Sequence, residues 1–240
     1  MNVDVLAIAA HPDDVEMCCA GTLARLHRRG KSFGILDLTR GEMGTRGTAE
    51  VRDREARRAA EILGASARET LDFGDGALRA GRPEEDQLID AIRRFRPRII
   101  LTSYPEDRHP DHARCGSLVA DAAFYAGIRK RETAHAAHRP QQVLFFSTMH
   151  YHAPTFIVDV SETHALKMEA VRAFSSQFHN PDSNEPETML TAEKFLKEIE
   201  ARARHFGQMT GVEFGEGFIS RRPPRIPDLL EAFDGFEPGF

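Results

Sequence analysis

Residues 3–16, VDVLAIAAHPDDVE, join a continuous apolar run to a cluster of polar side chains. The apolar run at 3–9 has the length of a strand, and such unbroken apolarity is typical of a strand that is buried on both faces. Residues 15–29 have the apolar spacing of an amphipathic helix, which Gly30 closes. The stretch therefore predicts the first strand and helix of an α/β fold, with acidic residues in the turn between them.

Strands and helices continue to alternate along the chain. SFGILDL at 32–38 and RIILTS at 98–103 are apolar runs of strand length, and the charged helix at 49–63 stops at Gly64. The other elements are expected as strands near 68–72, 141–147 and 155–160, and as helices at 84–95, 111–127, 161–176 and 191–206. This alternation indicates a Rossmann-like α/β fold in which a mainly parallel sheet has helices on both faces.

Length and composition favour one globular domain. A chain of 240 residues with 41% hydrophobic and 29% charged residues is large enough to bury one sizeable α/β core. It shows no internal repeat and no linker, so a single domain is predicted over 1–240. Residues 207–240 are rich in Gly and Pro and are expected to form a tail that wraps the surface.

Charge and cysteine content limit the partners and the location. The net charge is −5 and no block of Lys or Arg is concentrated, which argues against a nucleic-acid partner. No apolar run is long enough to span a bilayer, so no membrane partner is predicted. Cys18, Cys19 and Cys115 are a poor disulfide framework, and a reducing cytoplasm is the expected location.

Two loops repeat the triplet His-Pro-Asp, and each follows a predicted strand. The first lies at 11–13 and the second at 109–111. Ligands bind beyond the carboxyl ends of the strands in an open parallel sheet, so both loops are expected at one cleft. His and Asp are good ligands for zinc or iron(II), and three protein ligands with an open position are typical of a catalytic site. The two loops together predict a metal centre.

Two other interpretations of these loops stay open from the residues alone. Asp13 or Asp14 fits the N-cap of the first helix, and Asp111 fits the N-cap of a later one, because an acid there accepts amide hydrogen bonds. The cap and metal roles are compatible. A nucleotide-binding module is the other class of function for this fold. The first turn, however, lacks G-x-G-x-x-G and offers two acids that repel a pyrophosphate.

The two loops and three longer stretches resemble one family. HPDDVE at 11–16 and HPDH at 109–112 resemble the PIG-L/LmbE-like zinc-dependent N-deacetylases, which remove acetyl groups from N-acetylglucosaminyl compounds. DLTRGEMGTRGTAEVRDREARRAAEILG at 37–64, AFSSQFHNP at 173–181 and EARARHFGQMTGVEFGEGF at 200–218 resemble the branch that deacetylates N-acetyl-D-glucosaminyl-L-malate in bacillithiol biosynthesis.

The resemblance implies an enzyme that hydrolyses a linear amide bond of a small N-acetylglucosaminyl glycoside. The cofactor would be Zn²⁺, with Fe²⁺ or another divalent metal as alternatives. A mycothiol-type conjugate, a chito-oligosaccharide and an antibiotic precursor are the alternative substrates. The family likeness also suggests a homo-oligomer, a hexamer or a trimer.

The resemblance also implies roles for five residues of the two loops. The metal ligands of the family correspond to His11, Asp14 and His112. The general base corresponds to Asp13, and His109 corresponds to the residue that stabilises the oxyanion or protonates the leaving amine. These roles fit amide hydrolysis, which needs an activated water, a stabilised tetrahedral oxyanion and a protonated amine.

The second loop contains two further acids, Asp107 and Asp111. Asp111 lies between His109 and His112 and is expected to orient one of the imidazoles from outside the metal shell. Some mycothiol-pathway relatives carry a tyrosine at the position of Asp107. The aspartate found here argues against a mycothiol-type substrate more than against deacetylation.

The substrate side is expected near the TRGEMGTRGT loop. Arg52 corresponds to a family arginine at the substrate site, and Arg108 lies where the branch has an arginine suited to malate carboxylates. Glu42 and Met43 are expected to shape the sugar pocket. Two or three convergent guanidiniums would suit a dicarboxylate, and the loop and the following helix supply the candidates Arg40, Arg46, Arg52 and Arg54. The alternative for the helix is a solvated face, formed by Arg54, Arg57 and Arg58 with Glu50 and Glu61.

Overall fold

Seven strands form one sheet in the computed structural model of the chain, which describes residues 1–79 and 81–233. The strands are β1 Val5–Ala9, β2 Phe33–Asp37, β3 Ala67–Thr70, β4 Ile99–Ser103, β5 Gln142–Phe146, β6 Phe156–Asp159 and β7 Gly215–Ser220. The helices of the described residues are α1 Asp14–Arg28, α2 Ala49–Leu63, α3 Arg82–Phe95, α4 Pro110–Ala126, α5 His164–Arg172, α6 Glu193–Thr210 and α7 Leu229–Ala232.

The sheet is mainly parallel, which confirms the predicted fold class. Its order is β3-β2-β1-β4-β5-β7-β6. The first five of these strands pair in parallel, and β7 runs antiparallel to both β5 and β6. The chain moves outward from β1 to β3 and then returns to place β4 on the other side of β1. The loops after β1 and β4 therefore flank a topological switch point, where α/β sheets bind their ligands.

The side chains of β1 alternate between two cores on opposite faces of the sheet. Val5, Ala7 and Ala9 pack in one core, with side chains from α1, α2, α5 and α6. Leu6 and Ile8 pack in the other, with side chains from α3 and α4. Because both faces of β1 are covered, its apolar run needs no polar alternation. Helices on both faces are as predicted.

The prediction that the chain from residue 207 forms a tail on the surface is wrong for residues 207–220. Helix α6 continues to Thr210, and β7 enters the sheet between β5 and β6. The glycines of β7 serve close packing: a Cβ on Gly215 would lie 2.6 Å from Ile157 Cγ2, and one on Gly217 would lie 3.0 Å from Phe206 Cζ. The composition alone suggested a loop, but these glycines let a strand lie under helix α6. The last seven residues of the predicted tail, 234–240, lie outside the described residues.

The helix predicted at 161–176 is shorter, because α5 ends at Arg172. The backbone then turns toward helix α2, where Ser176 N and Ser176 Oγ donate to the two carboxylate oxygens of Glu55 at 2.8 and 2.7 Å. This buried side chain competes for the amide that would otherwise continue the helix. The stretch that follows α5 is therefore attached to helix α2.

The cysteines and the helices agree with a chain that has no disulfide framework and no membrane-spanning helix among its described residues. Cys18, Cys19 and Cys115 are buried free thiols on helices, which agrees with the prediction that they are a poor disulfide framework. In the described part of the chain, no helix has both the length and the apolar character needed to cross a membrane.

Candidate metal centre and catalytic cavity

A cavity of about 370 Å³ lies at the carboxyl ends of the strands. His11, Asp13 and Asp14 reach it from the end of the loop after β1 and the start of α1, and Arg108, His109 and His112 reach it from the loop after β4 and the first turn of α4. The remaining walls come from the segments after β2, β3 and β5 and from the chain beyond α5. The structure therefore brings the two His-Pro-Asp loops to one cleft.

Three buried side chains form a group that fits a divalent metal. Ligand atoms of His11, Asp14 and His112 all lie within 4.8 Å of one another. Asp14 stands between the imidazoles, with Oδ1 3.1 Å from His112 Nε2 and Oδ2 3.4 Å from His11 Nδ1. Two imidazoles and one carboxylate are a typical ligand set for a catalytic divalent metal.

The outer nitrogen of each imidazole faces a carboxylate. His11 Nε2 lies 3.0 Å from Asp75 Oδ1, and His112 Nδ1 lies 3.1 Å from Asp107 Oδ1. With the ring proton donated outward, His11 Nδ1 and His112 Nε2 keep their lone pairs toward Asp14. Such pairs fix the tautomer and the ring orientation of a ligating histidine. The group therefore has supporting partners of the kind a metal site requires.

A second group, His11, His109 and Asp111, also has ligand atoms within 4.8 Å of one another. His109 Nδ1, however, accepts a hydrogen bond from Asp111 N at 3.2 Å. The neutral ring then carries its proton on Nε2, so this nitrogen is a donor and has no lone pair for a metal. Burial, together with the neighbouring His11 and His112, lowers the pKa of His109, which keeps the ring neutral. The geometry favours His109 as a hydrogen-bond donor.

Asp13 is buried and has an unusual backbone conformation. It occupies the N-cap position of α1 with φ +114° and its side chain makes no capping hydrogen bond. Burial raises the pKa of Asp13 to about 7, although the charge of Arg52 opposes the shift. A carboxyl group with a pKa near neutrality suits a general base. Helix α4 is capped by the His109 side chain, so the simple cap interpretation holds neither for Asp13 nor for Asp111.

The charges of the metal-ligand group depend on one another. Burial lowers the pKa of His112, but the charge of Asp14 and the hydrogen bond with Asp107 outweigh it, and the pKa rises to about 9. Burial raises the pKa of Asp14, yet the two histidines hold it well below its ordinary value. The carboxylates thus favour positive charge at this point of the cleft, which is the condition for binding a cation.

The carboxylate of Asp111 lies beside the imidazole of His11 and not beside the rings of its own loop, where only its backbone N contacts His109. Its Oδ2 accepts a hydrogen bond from Gly76 N at 2.7 Å and lies 3.7 Å from His11 Nε2. The carboxylate beside His112 is Asp107, five residues earlier. Asp111 therefore joins the loop after β3 to the loop after β1.

The four residues expected at the substrate lie in different environments. Arg52 lines the cavity, but it is buried and its Nη2 donates to Pro12 O at 2.5 Å and to Asp13 Oδ2 at 3.2 Å. Met43 and Arg108 line the cavity and are exposed. Glu42 is not among the lining residues, because its carboxylate accepts from Asp75 N at 2.7 Å. Arg52 is thus placed to hold Asp13, and Glu42 to hold Asp75.

The expected cluster of convergent guanidiniums is not formed. Arg40 Nη2 donates to Asp53 Oδ2 at 2.6 Å. Arg46 is buried beside Glu185, with 3.6 Å between Nε and Oε2. On helix α2, Arg58 pairs with Glu61, as the solvated-face alternative expects. Neither Arg40 nor Arg46 lines the cavity.

The sequence patterns do not predict every residue that lines the cavity. Asp75 follows β3 in the stretch FGDGAL, and its position after a strand of the same sheet was an available signal. Met17 also lines the cavity. Its residue type carries no signal for a ligand site, because methionine is common in protein cores.

The comparisons with known proteins agree with this fold and identify a family. The family model of PIG-L, described as GlcNAc-PI de-N-acetylase, matches residues 6–123. Diacetylchitobiose deacetylase of Thermococcus kodakarensis is 34% identical over 227 residues, which cover 89% of this chain and 81% of that protein. Probable N-acetyl-alpha-D-glucosaminyl L-malate deacetylase 2 of Bacillus anthracis is 30% identical over 190 residues, covering 72% of this chain and 81% of that one.

A solved structure is also similar over nearly its whole length. A conserved protein from Thermus thermophilus superposes with a TM-score of 0.86 at 38% identity, over 93% of this chain and 97% of that one. The structure is thus an α/β fold with two histidine-bearing loops, and a candidate metal site, at its switch point. The chain belongs to the PIG-L family and is an N-deacetylase, a hydrolase of an amide bond. This membership decides against the nucleotide-binding alternative.

Proposed function

We propose that the protein is a zinc-dependent hydrolase that removes the N-acetyl group from an N-acetylglucosaminyl compound. The observation that carries the proposal is the buried group His11, Asp14 and His112, in a cavity that Asp13 and His109 also line. The two relatives, a diacetylchitobiose deacetylase and a probable N-acetylglucosaminyl malate deacetylase, support the substrate class.

The proposed ligands of the metal are His11, Asp14 and His112, whose two imidazoles and carboxylate fit Zn²⁺, with Fe²⁺ or another divalent metal as alternatives. When bound, such a metal acidifies water and polarises a carbonyl oxygen. Asp75 and Asp107 hold the imidazoles through their outer nitrogens, so that the ring orientations do not depend on the substrate.

Asp13 and His109 are the proposed proton-handling groups. Asp13 takes a proton from the attacking water, and Arg52 keeps its carboxylate in place through the 3.2 Å contact. His109 has its proton on Nε2, so it donates to the oxygen of the acetyl group as negative charge develops or passes the proton to the leaving nitrogen. The products are acetate and the free amine of the sugar.

N-Acetyl-D-glucosaminyl-L-malate is the first proposed substrate. Arg108 supports it, because this arginine lines the cavity, is exposed, and has no carboxylate partner among the described residues. A single available guanidinium binds one carboxylate bidentately. Diacetylchitobiose, a chito-oligosaccharide, is the second candidate, and the 34% identity to a diacetylchitobiose deacetylase favours it. A cytoplasmic location and a hexamer or trimer stay predictions.

The test is acetate release from three substrates, namely N-acetylglucosaminyl-malate, diacetylchitobiose and N-acetylglucosamine, with and without a chelator. We expect turnover that the chelator abolishes and Zn²⁺ restores. Arg108→Gln should lower kcat/KM for the malate glycoside by about tenfold to a hundredfold, since a hydrogen bond to a charged group contributes about 1.5–3 kcal/mol. Its effect on N-acetylglucosamine should be small.

Arg82→Gln is the matched control, because Arg82 is an exposed arginine on α3 that pairs only with Asp86 among the described residues. Equal losses for all three substrates in Arg108→Gln would contradict the carboxylate role. A chitobiose rate far above the malate rate in the wild type would favour the second candidate. No acetate from any of the three would contradict the proposed substrate class.

A further inference from the structure

Arg202 of helix α6 donates hydrogen bonds to the backbone of two segments beside the proposed metal centre. Its Nη2 donates to Met17 O at 3.1 Å, and its Nη1 donates to Thr148 O and, at 3.4 Å, to Ser147 O. The side chain is half-buried, and no carboxylate of the described residues pairs with it. The guanidinium is therefore used entirely on backbone carbonyls.

These carbonyls belong to two segments that form the site. Met17 lies one turn into helix α1, which begins at Asp14, and Ser147 and Thr148 follow β5. The side chains of Met17 and Met149 line the catalytic cavity. A planar guanidinium donates in two directions at once, so one side chain fixes the distance between these segments.

Thr148 connects Arg202 to a metal-ligand residue. Its carbonyl accepts from the guanidinium, while its buried hydroxyl donates to Asp107 Oδ2 and lies 3.0 Å from His112 Nδ1. Asp107 is also bound by His112 Nδ1, by His109 N at 2.8 Å and by Met149 N at 3.2 Å. The position of His112 therefore depends on an acceptor pair, Thr148 and Asp107, of which one member is held by Arg202.

We infer that Arg202 is a positioning residue for His112 and acts through Thr148 and Asp107. The inference rests on the proposed role of His112 as a metal ligand. A charged donor to a carbonyl contributes about 1.5–3 kcal/mol, and partners outside the ligand shell typically change metal affinity by about 10–100-fold. Without the guanidinium, the backbone of residues 147–148 loses its link to α1. The Thr148 hydroxyl then no longer holds Asp107 against the His112 ring.

The variants that test the inference are Arg202→Lys and Thr148→Val. Lysine keeps the charge but lacks the two-directional fork, and valine keeps the shape of threonine without its hydroxyl. Arg204→Lys is the matched control on the same helix, because Arg204 pairs with Glu200 and is exposed. Thr148→Ser is the second control, because it keeps the hydroxyl. Urea unfolding is measured for each variant, so that metal binding is compared only among folded proteins.

The first measurement is the dissociation constant for Zn²⁺ by chelator competition. We expect about tenfold weaker binding in Arg202→Lys and in Thr148→Val, and wild-type binding in both controls. Because the two residues act on one path, the double variant should lose about as much as the larger single loss. Full wild-type affinity in Arg202→Lys, or losses that multiply in the double variant, would overturn the inference.

The second measurement is the exchange with water of the Nδ1 proton of His112, observed by NMR. This proton is expected to exchange at least about tenfold faster in Arg202→Lys and Thr148→Val than in the wild type, because opening of the acceptor pair exposes it. Unchanged exchange in both variants would refute the positioning role. The readout does not need a metal, so a wild type without zinc binding would contradict the proposed function while the exchange rates still test Arg202.

Discussion

Asp13 is buried, and its backbone has a conformation that residues other than glycine rarely adopt. Its φ is +114°, and the residue lies between the carboxyl end of β1 and the first turn of α1. Such outliers cost about 1–3 kcal/mol and collect at functional sites. The hydrogen bonds from Arg52 to Pro12 O and Asp13 Oδ2 hold the strained turn. At the residue scale, the strained backbone of Asp13 is the feature that most clearly distinguishes this carboxylate from one that only caps a helix.

Asp13→Asn is expected to lower kcat by about 10²–10⁴-fold, because the amide cannot accept the proton. Asparagine tolerates positive φ, so the turn should survive and zinc content should stay at the wild-type level. Initial rates of acetate release and elemental analysis of the purified protein measure the two effects. A variant that turns over at near wild-type rates would remove Asp13 from the role of base.

Metal affinity should depend strongly on pH, since protons compete for His112. The pKa of this ring is raised to about 9 by Asp14 and Asp107 against the effect of burial. Below that pH, a metal must displace the proton, so affinity falls as the pH falls and levels off above about 9. We expect the zinc dissociation constant to increase by roughly tenfold per pH unit from pH 8 to 6 for each displaced proton. A dissociation constant that does not change over this range would contradict the proton competition.

At the element scale, strand β7 carries a buried ion pair into the middle of helix α1. Glu216 accepts from Gly21 N at 3.0 Å, from Thr22 N at 2.7 Å and from Lys167 Nζ at 2.7 Å. A Cβ on Gly21 would lie 3.1 Å from Glu216 Oε1, so the glycine permits this approach. The strand that composition suggested to be a loose tail thus supports the helix that begins at the metal centre.

Lys167→Met should destabilise the fold by about 3–5 kcal/mol, because it leaves a buried carboxylate without its cation. Lys197→Met is the control: Lys197 pairs with Glu193 on the surface, where an ion pair contributes at most about 1 kcal/mol. Urea unfolding followed by circular dichroism gives both values. Equal stability of the two variants would contradict a stabilising role for the buried pair of Lys167 and Glu216.

At the scale of the whole molecule, the proposed metal centre lies where the two halves of the sheet meet. His11 and Asp14 follow β1, and His112 follows β4, the two strands on either side of the switch point. A metal bound by all three would bind the folded chain only, because the donors come from segments about a hundred residues apart. Metal binding and folding are therefore expected to be coupled.

Zinc at 100 times its dissociation constant should stabilise the protein by about 2.7 kcal/mol. For a chain of this size, that corresponds to an increase in Tm of about 5–10 °C. Calorimetry with zinc and with a chelator measures the shift, and His112→Ala should abolish it. Two separate transitions would contradict the single domain, and an unchanged Tm would contradict coupling.

Much of the fold and part of the site follow from local patterns. The helix at 49–63 is found at the predicted bounds, because Thr48 accepts from Val51 N at one end and Gly64 adopts φ +75° at the other. The pairing of the two His-Pro-Asp loops follows from the rule for carboxyl ends of parallel strands. Asp107 was visible in the sequence as a departure from relatives, but its contact with His112 was not.

The sequence by itself determined the class of fold and the residue types of the proposed metal centre, since periodicity and turn chemistry act over a few residues. Only the tertiary structure decided which groups support that centre. Asp75 meets His11 across 64 residues, and Arg202 meets Met17 across 185. The physical reason is that a hydrogen-bond partner is selected by distance and direction. The distance and the direction are set when the helices pack on the sheet, and neither produces a periodic pattern in the sequence.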